Sequence, residues 1–599
     1  MALSNREIAD VLAAIGDMLE ILSDVRFKVQ EYRAAARSIE CLSEPASLCH
    51  GRGDLGTAAG LRPGMVEQVV TLLGGGTISE YLRQLTPRPP LDQRVLLRPA
   101  SLRMHMGRQF AALDIRDVAD LVAAARTGRL ATITGLSDGT SRRISKAGDQ
   151  LLRIPVRSLL NDARQNAMLL IDEIAQQLPQ TRPVIVGSIR RAEPLIDGIE
   201  LLALESDVAQ LCTVLEQSQL VSSITGSTAD RIDLQLCNRQ HATVFVASAD
   251  AVGGASHLRI GSRAYAARLQ QYAAHRGCQL HDDGRLEHRG ALVACPDEAT
   301  FDAWLELPSI ADELREDADV IDWALAGWLP PLVSGEAMCA DLHLHTTWSD
   351  GSSSIAEMAA AAQARGDQLM AVTDHSWSEQ FRGINGLNAE RLRQQAQEIA
   401  TLNASYAAAG AAFRILHGVE VDIFADGSLG LDDATLAQLD IVVASPHSDL
   451  NQDTDDATRR LLRAITHPHV DIIGHPTGRL LGTRRGLQPD VDALARAAAQ
   501  HDTLLEINCG PDRLDLDAQL VRRGLAHGAR FVINSDAHDT DGLSLRGLGI
   551  ATARRAGLPA TAIANTWQPA QLVAWLAARR RIHNQGGLRA NDIQPDRPA

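Results

Sequence analysis

Nine residues of this chain place imidazole or carboxylate groups just past predicted strands. His343 and His345 stand two apart in DLHLHTTWSDG, the period of a strand, so both side chains leave one face at one strand end. Asp350 follows in the loop, His375 ends TDHS, Glu420 lies in HGVEVDI, His447 in SPHS, His475 in IIGHPTGR, and Asp536 with His538 in NSDAH. Any one alone would read as a satisfied core or surface residue; nine together read as a metal centre. Mixed imidazole and carboxylate ligation suits manganese, zinc or iron better than calcium, and nine groups exceed the four to six positions of one ion, so two or three divalent ions are implied. In such a centre a metal-bridged water loses its proton near neutral pH and attacks phosphorus in line, which makes phosphoester hydrolysis the natural reaction class. Arg479 and Arg513 follow two of the ligand strands and could clamp a phosphate bidentately. The plain alternative is that they pair with Asp515 or other acids.

These residues need a scaffold that delivers them to one end. From Ala340 onward short apolar stretches (369–373, 414–416, 441–444, 470–473, 504–507, 531–533) alternate with alanine-rich helical ones. Repeated βα units with polar residues after each strand predict a barrel whose site lies at the strand C-termini. Upstream, Ile8, Val11, Leu12 and Ile15 recur at helical spacing, Leu19, Ile21 and Leu22 continue that face, and Asn5 opens an acidic first turn. A second helix runs through Tyr32 to Leu42. Pro87, Pro89 and Pro90 mark a break, and a second helical block follows to about residue 147, then a helix ending near Leu178. Pro183-Val-Ile-Val-Gly, Arg231-Ile-Asp-Leu-Gln-Leu and Thr243-Val-Phe-Val read as strands of an α/β region reaching about residue 335.

A chain of 599 residues buries more than one core, which excludes a single small binding module. Its formal charge of −16 argues against a uniformly basic surface. The distribution is uneven: residues 81–168 hold fifteen basic and seven acidic side chains, whereas the first eighty hold seven and eleven. The basic block is where a phosphate backbone would bind. Lys28 and Lys146 are the only lysines, which restricts any Schiff-base chemistry to two positions. The eight cysteines form no C-x-x-C pair, so reduced thiols without a disulfide partner are expected. A polar start and the lack of an eighteen-residue apolar run predict a cytoplasmic protein without a membrane partner.

DLHLHTTWSDG, TDHS, GVEVDI, SPHS, GHPTGR, LEIN with RLDL, and SDAH closely resemble the PHP (polymerase and histidinol phosphatase) domain at the C-terminus of bacterial family X DNA polymerases. The resemblance implies a distorted (β/α)7 barrel over 338–580, with all nine metal-ligand positions filled. It also implies a metal-dependent phosphoesterase, in this family a 3'-5' exonuclease and sometimes an abasic-site endonuclease or 3'-phosphatase. NREIADVLAAIGDMLEILSDVRFKVQEYRAAARSIE resembles the same family's N-terminal helical domain, VGSIRR and RIDLQL its nucleotidyltransferase palm, and ELREDADVIDWA the end of its polymerase core. The implied architecture is multidomain α plus α/β: a helical domain over 1–85, a helical, fingers-like basic domain over 91–178, a degenerate palm with a terminal subdomain over 179–335, the barrel, and a tail over 581–599.

Templated phosphoryl transfer needs two magnesium ions held by carboxylates on adjacent strands. The family supplies two of three as an Asp-x-Asp after its GS-x-RR. In GSIRRAEPLIDGIELLAL the first position is Gly198 and the second Glu200, while the third matches Asp233. Asp197 is one residue early, which turns its side chain to the opposite face unless a bulge intervenes. Ser188, Arg190 and Arg191 match positions that meet the triphosphate, or else form a strand-to-helix turn with surface arginines. The helix-hairpin-helix glycines are eroded in AGLRPG around Gly60, RPASLR around Pro99 and TGLSDG around Gly135, and neither lysine matches the family's lyase position. The expectation is a DNA-repair phosphoesterase acting on gapped or 3'-end substrates, with polymerisation absent or severely weakened and magnesium needed only if the palm is active. Two alternatives stand beside it: an active gap-filling polymerase using Glu200, Asp233 and a displaced Asp197, and a small-molecule phosphatase resembling histidinol phosphatase.

Overall fold

The computed structural model describes residues 157–584 apart from 205–206, 239, 378–384 and 483, together with parts of 4–73 and of 123–129. The chain divides into two compact units, one of residues 1–155 with 347–352 and 381–385, the other of the remainder. In the first, Ile8, Leu12, Ile39, Cys49, Leu55, Met65 and Val69 form a buried core. Asn5 does more than open a helix: its Nδ2 donates to the Glu44 carbonyl at 3.0 Å and its Oδ1 accepts from Ala46 N at 2.6 Å, pinning the start of the helix Ala46–Arg52. Lys28, Lys146, the hairpin positions near Pro99 and Gly135, and most of the basic block lie outside the described residues.

The second unit begins with α1 (Leu160–Gln177), then β1 (Val184–Val186), α2 (Gly187–Arg190), β2 (Gly198–Leu204), α3 (Val208–Glu216), β3 (Val221–Ser227), β4 (Arg231–Leu236) and β5 (His241–Ala247). Its sheet runs β1-β2-β5-β4-β3, with only β2 and β5 parallel. Leu160, Ala163, Ala167, Leu170 and Ile174 line one face of α1 at helical spacing and are buried against Ile199, Leu201, Leu234 and Val244. The sequence-based boundary at 178 is corrected on this point, because an apolar stripe needs a partner and the palm sheet supplies it. A satellite core around Tyr265, Leu269, Phe301, Leu305 and Ile321 follows, built from α4 (Val252–Ile260), α5 (Arg263–His275), the antiparallel β6 (Cys278–Leu280), β7 (Leu286–His288) and β8 (Ala291–Val293), α6 (Glu298–Leu305) and α7 (Val320–Leu325).

The barrel holds seven parallel strands in chain order: β9 (Ala340–Asp341), β10 (Leu369–Val372), β11 (Arg414–Asp422), β12 (Ile441–Ser445), β13 (Ile472–Ile473), β14 (Leu504–Asn508) and β15 (Phe531–Asn534). A parallel bridge from Leu344 to Ala537 brings the first and last together. Strands β10, β12, β14 and β15 are buried at every residue, as befits parallel strands covered on both faces. The intervening helices α8 (Ile355–Ala364), α9 (Ala389–Ala408), α10 (Thr454–Ile465), α11 (Val491–His501) and α12 (Ala518–Ala526) each start on a side-chain cap: Ser354, Asn388, Asp453, Asp490 and Asp517. Then come α13 (Arg546–Arg555) and α14 (Pro569–Asn584). Leu572 and Leu576 of α14 join Leu342, Leu369, Leu416, Ile441, Ile472 and Leu504 in the core. Because α14 continues to Asn584, the 581–599 tail begins inside a helix. Arg554 of α13 bonds Glu313 at 2.7 Å and Arg555 bonds Glu316 at 3.2 Å, tying barrel to satellite.

Candidate metal centre

Glu420, near the end of β11, is fully buried and stands at the centre of the strand C-termini. Its Oε2 lies 2.8 Å from His375 Nδ1, 3.4 Å from His343 Nε2 and 3.5 Å from His345 Nε2. Its Oε1 lies 2.9 Å from His475 Nε2 and 3.2 Å from His447 Nε2. Asp536 Oδ1 is 3.0 Å from His345 Nε2. One ligand atom each from His343, His345 and Asp536, from His375, Glu420 and His447, and from the histidines 345, 375 and 538 gathers within 4.8 Å. Within the second unit the structure thus brings together eight of the nine groups read from the sequence. The ninth, Asp350, follows β9 in segment 347–352, which groups with the first unit.

Carboxylates the motifs contained but the sequence reading left without a role orient these rings. His343 Nδ1–H donates to Glu506 Oε1 at 2.7 Å and His447 Nδ1–H to Asp422 Oδ1 at 2.6 Å, which turns both Nε2 atoms toward Glu420. His538 Nδ1–H donates to the Asp536 carbonyl at 2.9 Å. Glu506 Oε2 also accepts from His475 N at 2.7 Å, and Asn508 Nδ2 links Glu506 to Asp536. The only sequence signal for Glu506 was its place in a strand-end motif, since nothing local shows that its partner is 163 residues away.

Electrostatics favour a cation. Burial would raise the Glu420 carboxyl, yet His375, His447 and His343 hold it well below the usual carboxylate range. Burial and the His375 and His538 rings push His345 down to about 4, leaving a neutral ring. Burial works against His447, but Glu420 and Asp422 raise it to about 9. Among the described residues His343 Nε2 and both Glu420 oxygens are buried without a hydrogen bond. Unsatisfied nitrogen and oxygen lone pairs converging at these distances fit divalent metal ions.

The two barrel arginines differ. Arg479 Nε donates to the Arg513 carbonyl at 2.8 Å, Nη2 to the Leu514 carbonyl, and Nη1 bonds Asp517 at 2.9 Å. Its role as a phosphate clamp is corrected: it braces the 513–517 loop. Asp515, the alternative partner, instead caps Thr477 N and Gly478 N. Arg513 stands beside the centre, its Nε 4.0 Å from Asp536 Oδ2 and its Nη1 buried with no hydrogen bond.

In the palm, Glu200 pairs laterally with Thr243 and Thr243 with Asp233, so both carboxylates share one face across β2, β5 and β4. Thr243 Oγ1 donates to Asp233 Oδ1 at 2.9 Å. Gly187, at φ +68°, lets Glu200 lie against the backbone, since a Cβ there would sit 1.8 Å from Glu200 Oε2. Gly198 offers that face nothing. Asp197 precedes β2 and pairs outward with Arg157 at 2.6 Å, so no bulge returns it. Arg190 bonds Asp312 at 2.6 Å. Arg191 is buried, donating to the Ile260 carbonyl at 2.6 Å and pairing with Glu193 and Glu316. Its expected role on a triphosphate is corrected, because its donors are taken by Glu193, Ile260 and Glu316. Ser188 sits in the short helix α2 that follows β1.

A family model described as the PHP domain matches residues 341–509. A DNA polymerase/3'-5' exonuclease PolX of Bacillus subtilis (strain 168) is 32% identical over 562 residues, covering 92% of this chain and 95% of its own. A probable phosphatase of Thermoanaerobacter sp. (strain X514) is 28% identical over 241 residues, covering 38% of this chain and 89% of its own. A crystal structure of Leishmania infantum polymerase beta in a ternary P/T complex aligns over 38% of this chain and 99% of its own at 15% identity and a TM-score of 0.25. No helix among the described residues is long and apolar enough to cross a membrane. With 32% identity to a polymerase/exonuclease over nearly the full length of both chains and a PHP match running from the end of β9 through β14, the chain belongs to the family X DNA polymerases that bear a C-terminal PHP domain.

Proposed function

We propose that the barrel hydrolyses phosphodiester bonds at DNA 3' ends in repair, and that the palm half positions DNA while polymerising weakly or not at all. The observation that carries this reading is one buried carboxylate, Glu420, with both oxygens ringed by five imidazole nitrogens. His343, His345, His375, Glu420, His447, His475, Asp536 and His538 would hold two or three ions, and we add Asp350 because it stands five residues past His345 in the chain. Manganese, zinc or iron bound there supplies charge stabilisation for a phosphoryl transition state and acidifies water. Glu506 and Asp422 keep the His343 and His447 rings in the ligating tautomer. Arg513 offers its unpaired guanidinium nitrogen to a phosphoryl oxygen. The palm keeps Glu200 and Asp233 but lacks a carboxylate at Gly198, so magnesium matters only if that site retains activity.

The test is a 5'-labelled gapped duplex with manganese, with and without nucleotides, beside His343→Ala and Asp233→Ala. Expected are shortening lost in His343→Ala and kept in Asp233→Ala, with no extension in any lane. Extension that needs Asp233 overturns the palm reading. Hydrolysis of small phosphomonoesters with every DNA end left intact overturns the DNA reading and favours the phosphatase one.

A further inference from the structure

Among the described residues of the barrel, Trp377 is the one large hydrophobic side chain left exposed, at 52%. Single exposed apolar residues are ordinary on a surface, but the backbone of this one is held unusually firmly. Ser376 N donates to the Glu420 carbonyl at 2.8 Å, Trp377 N to the Leu387 carbonyl at 2.9 Å, and Leu387 N returns to the His375 carbonyl at 2.7 Å. Gly386 makes the close approach possible, since a Cβ there would come within 2.4 Å of Ser376 O and 2.6 Å of Trp377 Cα. Arg391 Nη1 then clamps the Gly386 carbonyl at 3.0 Å.

The segment so fixed carries His375, whose ring meets Glu420. Two residues apart on an extended, bridge-paired stretch, His375 and Trp377 leave the same side of the chain. The indole therefore stands at the rim of the strand C-termini. In the strand order, Trp377 follows the second strand and Arg513 the sixth of seven, so the loops that carry them leave the barrel on roughly opposite sides of the centre. A phosphodiester with a base attached needs such a pair: a cation for the phosphate and a flat apolar surface for the base.

We infer that Trp377 stacks on the nucleobase of the 3'-terminal nucleotide and makes the barrel select base-bearing ends. This rests on the 3'-end reading above. Stacking reads no sequence, so all four bases serve alike, while an end without a base loses the contact.

The experiment uses the full chain and short 5'-fluorescent single strands ending in a normal nucleotide or in a base-free tetrahydrofuran residue. Binding is measured by anisotropy in EDTA, and cleavage in manganese. Wild type should bind the base-bearing end about tenfold more tightly, Trp377→Ala should bind both ends equally, and Trp377→Phe should keep most of the preference. In manganese the alanine variant should show the same loss in KM with kcat kept. Equal binding of the two ends by wild type, or an undiminished preference in Trp377→Ala, overturns the inference. A wild type that cleaves neither strand but retains a Trp377-dependent preference overturns the 3'-end reading and leaves the stacking contact standing.

Discussion

In the barrel, Glu420 lies under five imidazole nitrogens, and Glu506 and Asp422 orient the rings behind them. In the palm, Glu200 and Asp233 flank Thr243 across three strands and face a glycine where a third carboxylate would complete them. Both regions keep hydrogen-bonded sheets, the palm's β2, β5 and β4 pairing without interruption, so the difference is not one of fold. A register can persist without a carboxylate at Gly198, because strand pairing and the buried alternate residues Ile199, Leu201, Ile232 and Leu234 hold it independently of the polar face. Conversely, the barrel's polar cluster is itself a structural liability unless charge is supplied to it, which ties its persistence to metal binding.

The comparison breaks most sharply at Glu420. Glu420→Gln removes the shared carboxylate, and hydrolysis should fall by about 10³ or more, with metal content by elemental analysis falling too; retained activity with full metal would show that Glu420 is not central. Next, the two arginines should separate. Arg513→Ala should lower kcat/KM by about 10² with the melting temperature kept, whereas Arg479→Ala should cost about 1–3 kcal/mol of stability by freeing the Arg513 and Leu514 carbonyls. The reverse pattern in paired thermal melts and kinetics would exchange their roles.

A smaller effect tests how near the palm is to working. A Cβ on Gly198 meets the His241 carbonyl at 3.3 Å, tight but admissible, so Gly198→Asp should create Asp233-dependent primer extension in magnesium that wild type lacks. No gain would mean that more than one carboxylate is missing. The smallest effect concerns Glu200. Burial raises its carboxyl, with Arg191 and Arg259 opposing. A folded-state value above the unfolded one contributes stability below the unfolded pKa that is lost as pH rises through the folded pKa. Glu200→Gln should therefore melt slightly higher than wild type at pH 8, with the advantage shrinking toward pH 4; a constant difference across that range would remove titration of Glu200 as its cause.

The metal centre was legible because a parallel βα unit puts function immediately after each strand, so HLH, TDHS, SPHS and SDAH announce both the strand end and the group it delivers. What lay outside local sequence was partnership. Arg479 and Arg513 look alike in GHPTGR and GPDR, yet the first is spent on two backbone carbonyls and an aspartate while the second is left with a buried nitrogen, and only the loop's three-dimensional path decides which. Arg191 likewise reads as a phosphate ligand until Ile260 and Glu316 come into reach from over sixty residues away. The helix 160–177 carried its apolar stripe openly, but the stripe does not name the sheet it covers. The loss at Gly198 was legible for the opposite reason: strand parity fixes which face each residue serves.

The seam at Leu344 and Ala537 has a consequence for biosynthesis. There Asp536 N donates to the His343 carbonyl at 3.0 Å and His345 N to the Ala537 carbonyl at 2.8 Å, while nearby Leu342 N reaches an asparagine 192 positions further along. Contacts so distant in sequence form late, and at about 5–20 residues per second the ribosome takes on the order of ten seconds or more to supply the second half of the seam after the first. Until the final strand emerges, His343 and His345 have no Asp536 or His538 to complete them. A nascent or prematurely terminated chain thus lacks the assembled cluster, which forms only once the last barrel strand has paired with the first.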